Sequence, residues 1–141
     1  MILDTTLVFS DRQAVTASAP STNTIDLGVT GTQFGATAPL VRDISLGNPL
    51  DLSVSVSLPF AGLTALQVSV QSSNDAVTWT SIDTSAAIPA AQLVSGYQFD
   101  VPKLIQAATG RYLRLYFTVT GTATQGAINA AIVASRQSNL L

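Results

Sequence analysis

Residues 51–58 read DLSVSVSL, Asp51-Leu-Ser-Val-Ser-Val-Ser-Leu58. Polar and apolar residues alternate at every position. Side chains along a β-strand point to opposite faces with a period of two, so the stretch predicts a strand with one face buried and one in water. Leu52, Val54, Val56 and Leu58 are expected to face inward. Pro59 follows and has no N–H to give to a ladder, so the strand is expected to end there.

The same period recurs on both sides of this stretch. Leu66–Gln71 predicts a strand with Leu66, Val68 and Val70 inward. Ser72–Asp75 is a run of residues that favour turns by bonding to their own backbone. Val77–Ile82 then returns as a strand, and Trp79, the one tryptophan, is expected on the face of Val77 as an anchor of the core. Arg111–Thr120 is the longest alternating run. Leu113, Leu115, Phe117 and Val119 make one face; Tyr112, Arg114, Tyr116 and Thr118 make the other. Gly121–Gly126 is bracketed by glycines and predicts a hairpin loop. Ala127–Ala134 returns, with Ile128 and Ile132 on one face. Tyr97–Val101 is a further strand, and shorter ones are expected at Thr5–Phe9, Thr24–Leu27 and Val41–Leu46. Helical signals are confined to single turns, one at Lys103–Ala108 behind Pro102 and one within Ala86–Leu93. Val15–Asn23 and Gly28–Pro39 are small and polar and read as loops.

About eight or nine short strands separated by turn signals predict an all-β fold, a jelly roll or two-sheet antiparallel β-sandwich. The 141 residues suit a single domain. It is expected to span residues 1–136, with residues 1–9 as its first strand or as an interacting arm, and residues 137–141 as a tail.

Composition narrows the function classes. The chain has no cysteine, no histidine and no glutamate; its eight acids are all aspartates. Disulfides, zinc–thiolate sites, a Ser-His-Asp triad and a histidine base cannot be built. Lys103 is the one lysine, and no serine stands in a nucleophile's context. The inventory points away from an enzyme and yields no catalytic residue, no cofactor site and no metal-ligand set. Asn74 and Asp75 supply too few oxygens for calcium, which takes about six to eight, so an ordinary turn is the preferred reading. The net charge is −2 and the arginines are scattered, without the basic stripe of a nucleic-acid binder. No run approaches the roughly 18 apolar residues of a membrane span, and no basic segment precedes Ile2-Leu3, so neither a membrane anchor nor a secretory signal is expected. Charged residues are 10% of the chain, against about 25% in a typical soluble domain. Such a weakly self-repelling surface suits a chain that works attached to others.

Interface candidates follow from residue type and position. Tyr112, Arg114 and Tyr116 share the outward face of the strongest strand, and Tyr and Arg offer large contact area with a polar tip. The plain alternative is a solvated strand face with cross-strand partners. Ile2, Leu3, Leu140 and Leu141 are apolar groups at chain ends, where free segments usually fray, so they are candidates for partner contacts. Leu7 and Phe9 are expected in the core instead. Arg12 completes the candidate set.

Four stretches carry a family resemblance: ILDTTLVFSDRQAVT (2–16), TNTIDLG (22–28), VQSSNDAVTWTSID (70–83) and GRYLRLYFTVTGTAT (110–124). In this order, and over nearly the whole chain, they resemble the jelly-roll capsid cement proteins of tailed bacteriophages. The resemblance implies a non-catalytic protein on the outside of an icosahedral shell. It would bridge junctions between subunits of the major capsid protein. Its implied partners are that protein and itself, as a homodimer, the favoured state, or a trimer. It would be made in the cytoplasm of a bacterial host and act on the virion exterior. The later stretches also read like a discoidin-like carbohydrate-binding sandwich. That alternative implies a glycan-binding module on the virion or in host adhesion.

Overall fold

The computed structural model describes residues 4–42, 50–100 and 110–134. Among them are seven strands and no α-helix. In chain order these are β1 (Val8–Ala14), β2 (Ala19–Pro20), β3 (Ile25–Asp26), β4 (Asp51–Ser73), β5 (Thr80–Thr84), β6 (Ile88–Pro89) and β7 (Tyr112–Val133). Single 3₁₀ turns stand at Thr5–Leu7 and Ala90–Gln92. All strand pairs are antiparallel and belong to one sheet. The all-β expectation is met. Among the described residues, two pairs of expected short strands are each joined into one long strand.

β4 runs 23 residues through Pro59, and β7 runs 22 residues through Gly121–Gly126. They pair along their whole length, from Asp51↔Val133 to Ser73↔Tyr112. The expected strand end and hairpin loop are the middle of this ribbon. There the register shifts four times between Val56 and Ala65. Pro59 sits in that irregular stretch, where a missing N–H costs the ladder nothing, and its carbonyl accepts from the Gln125 side-chain amide at 3.1 Å.

The ribbon folds back on itself at this corner. Ala14 of β1 pairs with Ala127, whereas Ala19 of β2 pairs with Phe117. A straight β7 would separate Phe117 and Ala127 by about 33 Å at about 3.3 Å per residue. The chain from Ala14 to Ala19 reaches only about 18 Å. The Asn23 N–H also donates to the Phe9 carbonyl at 2.9 Å, tying the segment beside one half of β7 to the segment beside the other. On the opposite edge, β6 pairs with Leu66 while the Phe99 N–H donates to the Val54 carbonyl. The sandwich-like second layer is therefore the other half of the same sheet.

One core fills the fold. The first half gives it Leu52, Val54, Val56, Ile128, Ala130 and Ile132, and the second gives Leu66, Val68, Val70, Leu113, Leu115 and Phe117. Phe9, Val15, Ile25, Phe60, Leu63, Leu93, Phe99 and Ala123 complete it, and Leu7 packs against it. Leu58, Val77 and Trp79, all expected in the core, lie outside it. Leu58 is exposed because the register shift after Val56 turns it outward. Val77 is exposed because residues 74–78 form the turn before β5. Tyr97–Phe99 touches β4 through an isolated bridge, Ser55↔Gln98, without forming a strand of its own. The expected turn at Lys103–Ala108 and most of the expected strand Val41–Leu46 lie outside the described residues.

Candidate interaction face

In the N-terminal half of β7 the alternation holds as read. Leu113, Leu115 and Phe117 are fully buried, and Tyr112, Arg114 and Tyr116 stand half-buried on the outer face. Across the ladder lie Ser73, Gln71 and Ser69 of β4. On the other side Asp26 of β3 pairs with Tyr112 and Pro20 of β2 with Tyr116. Short neighbours on both sides leave the larger side chains standing above the sheet.

Arg114 is locked to its neighbours on this face. The Arg114 Nε–H donates to Gln71 Oε1 at 2.8 Å, a pair set up by their direct cross-strand register. That bond holds the guanidinium 4.0 Å from the centroid of the Trp79 ring and 5.8 Å from that of Tyr116. A guanidinium at such distances is attracted by the negative face of the ring. Burial lowers the Arg114 pKa from its ordinary value, yet the group stays cationic at any physiological pH.

Trp79 is thus a surface residue, not the expected core anchor. The turn before it explains why. Asp75 Oδ1 accepts from the N–H groups of Thr78 (2.8 Å) and Val77 (2.9 Å) and from the Ser73 hydroxyl (2.8 Å). These bonds, the Thr78 one foremost, hold the Asp75 carboxyl well below the usual carboxylate range. The turn carries Ala76 at φ +59°, and the Ala76 carbonyl accepts the indole N–H at 3.2 Å. The ring is thereby swung onto the outer face. Asp75 serves this turn, as the plain reading of Asn74-Asp75 had it.

A second arginine flanks the row. Arg111 donates to Asp26 through one edge of its guanidinium, Nε–H to Oδ1 and Nη2–H to Oδ2, each at 2.6 Å. Its guanidinium carbon lies 5.0 Å from the Tyr112 ring centroid. The Arg111 hydrogen bonds, with a further one from the Gly28 N–H, lower the Asp26 pKa to about 2. The outer face therefore presents Trp79, Arg114, Tyr116, Tyr112 and Arg111 as one cation–aromatic row on a stiff sheet.

A family model, Bbp16, matches residues 9–132. The chain belongs to the Bbp16 family. The Bbp16 match runs from β1 almost to the end of β7, so it covers the folded ribbon and the whole cation–aromatic row. No curated protein matches the chain.

Within the Bbp16 span the structure keeps Arg12 away from the row. Arg12 lies exposed in an irregular stretch of β1 at φ +45°, with its N–H bonded to Asn129 Oδ1 at 2.7 Å. It belongs to the layer of β7's C-terminal half. Ile2, Leu3, Leu140 and Leu141 lie outside the described residues and outside the Bbp16 match. Sequence reading missed Trp79 and Gln71 as members of the row. The register Gln71↔Arg114 and the Asp75 turn that place them depend on pairing across the fold.

Proposed function

We propose that this chain is a structural virion protein. It attaches to the outer surface of a phage capsid across junctions between major-capsid-protein subunits and stabilises the shell. It acts without catalysis, and it reaches the virion after synthesis in the host cytoplasm. The family resemblance of residues 2–16, 22–28, 70–83 and 110–124 supports this reading. The single structural observation behind it is the cation–aromatic row, pre-organised on a sheet whose two layers share one core. Arg and aromatic side chains held in place before contact lose little freedom on binding, and such anchors dominate interface energetics. Many copies on a symmetric shell convert modest contacts into high avidity.

The test is co-sedimentation of the purified chain with expanded capsids of its phage that lack it, followed by heat or osmotic challenge. Binding in fixed stoichiometry and tougher shells are expected. Arg114→Ala is expected to lower affinity by about 30-fold, as for a hot spot worth about 2 kcal/mol. Protein left in the supernatant, with shells no tougher, would sink the proposal. A glycan-binding role is the second reading, favoured by Trp79 standing outside the core. It calls for glycan binding that Trp79→Ala abolishes while capsid occupancy stays unchanged.

A further inference from the structure

In the Asn74-Asp75 pair, Asp75 spends its carboxylate on its own turn, and Asn74 has no part in those bonds. Asn74 instead lines a cavity of about 240 Å³ with Gly28, Thr30, Arg42 and Arg111. This cavity adjoins the Tyr112 end of the cation–aromatic row. Arg111 stands 5.0 Å from the Tyr112 ring centroid, and Ser73, just before Asn74, pairs with Tyr112. Among the described residues, every basic side chain except Arg12 belongs to the row or to this cavity. In a chain of net charge −2, that is a local concentration of positive charge.

Asp26 and Gly28 hold both guanidinium groups in place. Asp26 takes one edge of Arg111, and its Oδ1 also accepts from the Gly28 N–H at 2.8 Å. Gly28 turns the chain at φ +75°, in the left-handed region that favours glycine, and its carbonyl accepts from Arg42 Nη2. Arg111 Nη1 takes no part in the Asp26 fork, and Arg42 gives Gly28 only one of its nitrogens. The Thr30 hydroxyl and the Asn74 amide are further donors carried by lining residues. Guanidinium, amide and hydroxyl donors around a small cavity suit an oxyanion, and arginine matches the paired oxygens of a carboxylate.

Charge selects among oxyanions. Arg111 and the Gly28 N–H lower the Asp26 pKa to about 2, so this carboxylate stays ionised. Two guanidinium groups and one carboxylate leave one net positive charge. A carboxylate monoanion neutralises it, whereas a phosphate dianion would leave an excess negative charge beside Asp26.

We propose that this cavity is a carboxylate site, and that it takes an acidic side chain from the capsid surface on which the row docks. The choice of partner rests on the capsid-attachment reading; the choice of carboxylate rests on the cavity's own charges and donors. Because cavity and row adjoin, one docked surface covers both.

The test begins with the full chain alone, titrated at constant ionic strength and followed by amide NMR shifts. The probe is acetyl-glutamate amide, a blocked glutamate with one carboxylate. Saturable shifts are expected at Gly28, Thr30 and Asn74, and Arg42→Gln should weaken binding about tenfold. The neutral acetyl-glutamine amide should give no such shifts. Inorganic phosphate, largely a dianion above neutral pH, should bind more weakly than the glutamate probe. Absent shifts, equal shifts with the glutamine probe, or tighter binding of phosphate overturns the site. The second arm is co-sedimentation with expanded capsids that lack the chain. Arg42→Gln and Asn74→Ala should each lower affinity, and both substitutions lie outside the strands; circular dichroism melts check that they fold. Amidating the exposed carboxylates of the shell should weaken the wild type more than Arg42→Gln. Capsid binding that Arg42→Gln leaves unchanged, or equal weakening of both proteins by amidation, overturns the acidic capsid side chain as occupant. A chain that binds the glutamate probe but no capsid sinks the capsid-attachment reading and that occupant with it, and leaves the carboxylate site standing.

Discussion

At the scale of single residues, the outer face and the corner make opposite demands. On the face, Trp79 is packed under a guanidinium rather than under aliphatic core. Its fluorescence should be red-shifted relative to a core tryptophan and accessible to acrylamide. Arg114→Ala should raise the quenching constant further by uncovering one ring face. A blue-shifted emission that resists quencher in both proteins would contradict the placement. At the corner, Gly126 stands at φ +147°, and a Cβ there would collide with the Phe60 ring. Gly126→Ala should therefore cost about 1–3 kcal/mol in denaturant unfolding, the range for overpacked sites. Adding Phe60→Leu should recover part of that loss, which a purely conformational cost at Gly126 would not allow. The alternation of residues 112–117 was readable because its cause is local: one side chain in, the next out. The position of Trp79 was not, because it follows from three bonds to Asp75 and one positive φ at Ala76.

At the scale of elements, the long ribbon is what sequence reading divided. Pro59 and the glycines at 121 and 126 are local strand-breaking signals, and in isolation they do end strands. Here both chains of one ladder become irregular at the same place, so pairing survives and the ribbon bends. A strand's own residues do not reveal what its partner does opposite them. The two-residue strand β3 depends on fewer bonds, and Asp26–Arg111 is one of them. The folded-state pKa of Asp26 is lowered to about 2, beneath its ordinary unfolded value. Between about pH 4 and that value the unfolded chain binds more protons than the folded one. The contribution of the pair is therefore fully present above about pH 4 and fades as the pH falls toward about 2. The melting temperature should decline through that window, and Asp26→Asn should flatten part of the decline. Asp75→Asn should flatten another part, since that carboxyl is also held low. A decline identical in all three proteins would show that neither carboxylate matters to acid stability.

At the scale of the whole molecule, one core shared by both halves of a folded sheet has a thermodynamic consequence. Leu52 and Leu113 are each fully buried, the first beside one end of the ribbon and the second beside the other. Were the layers independent sheets packed together, each could loosen alone. Here β4 and β7 run through both layers, and Phe9, Phe60 and Phe99 belong to the same core cluster as residues of both halves. Neither layer can open without exposing what the other buries. Leu52→Ala and Leu113→Ala should each cost about 2–5 kcal/mol, the usual range for a leucine cut to alanine in a packed core. The more telling readout is native-state hydrogen exchange. If unfolding is one cooperative event, either substitution should lower the protection of the slowest amides near residues 52–56 and near residues 113–117 by the same free energy. Retained protection in the unmutated half would show that the corner at Pro59–Ala65 is a hinge between two folding units rather than a bend within one. The outcome also bears on the proposed role. A single cooperative body passes load from the cation–aromatic row on one layer to the other layer, whereas two units would yield at the corner first.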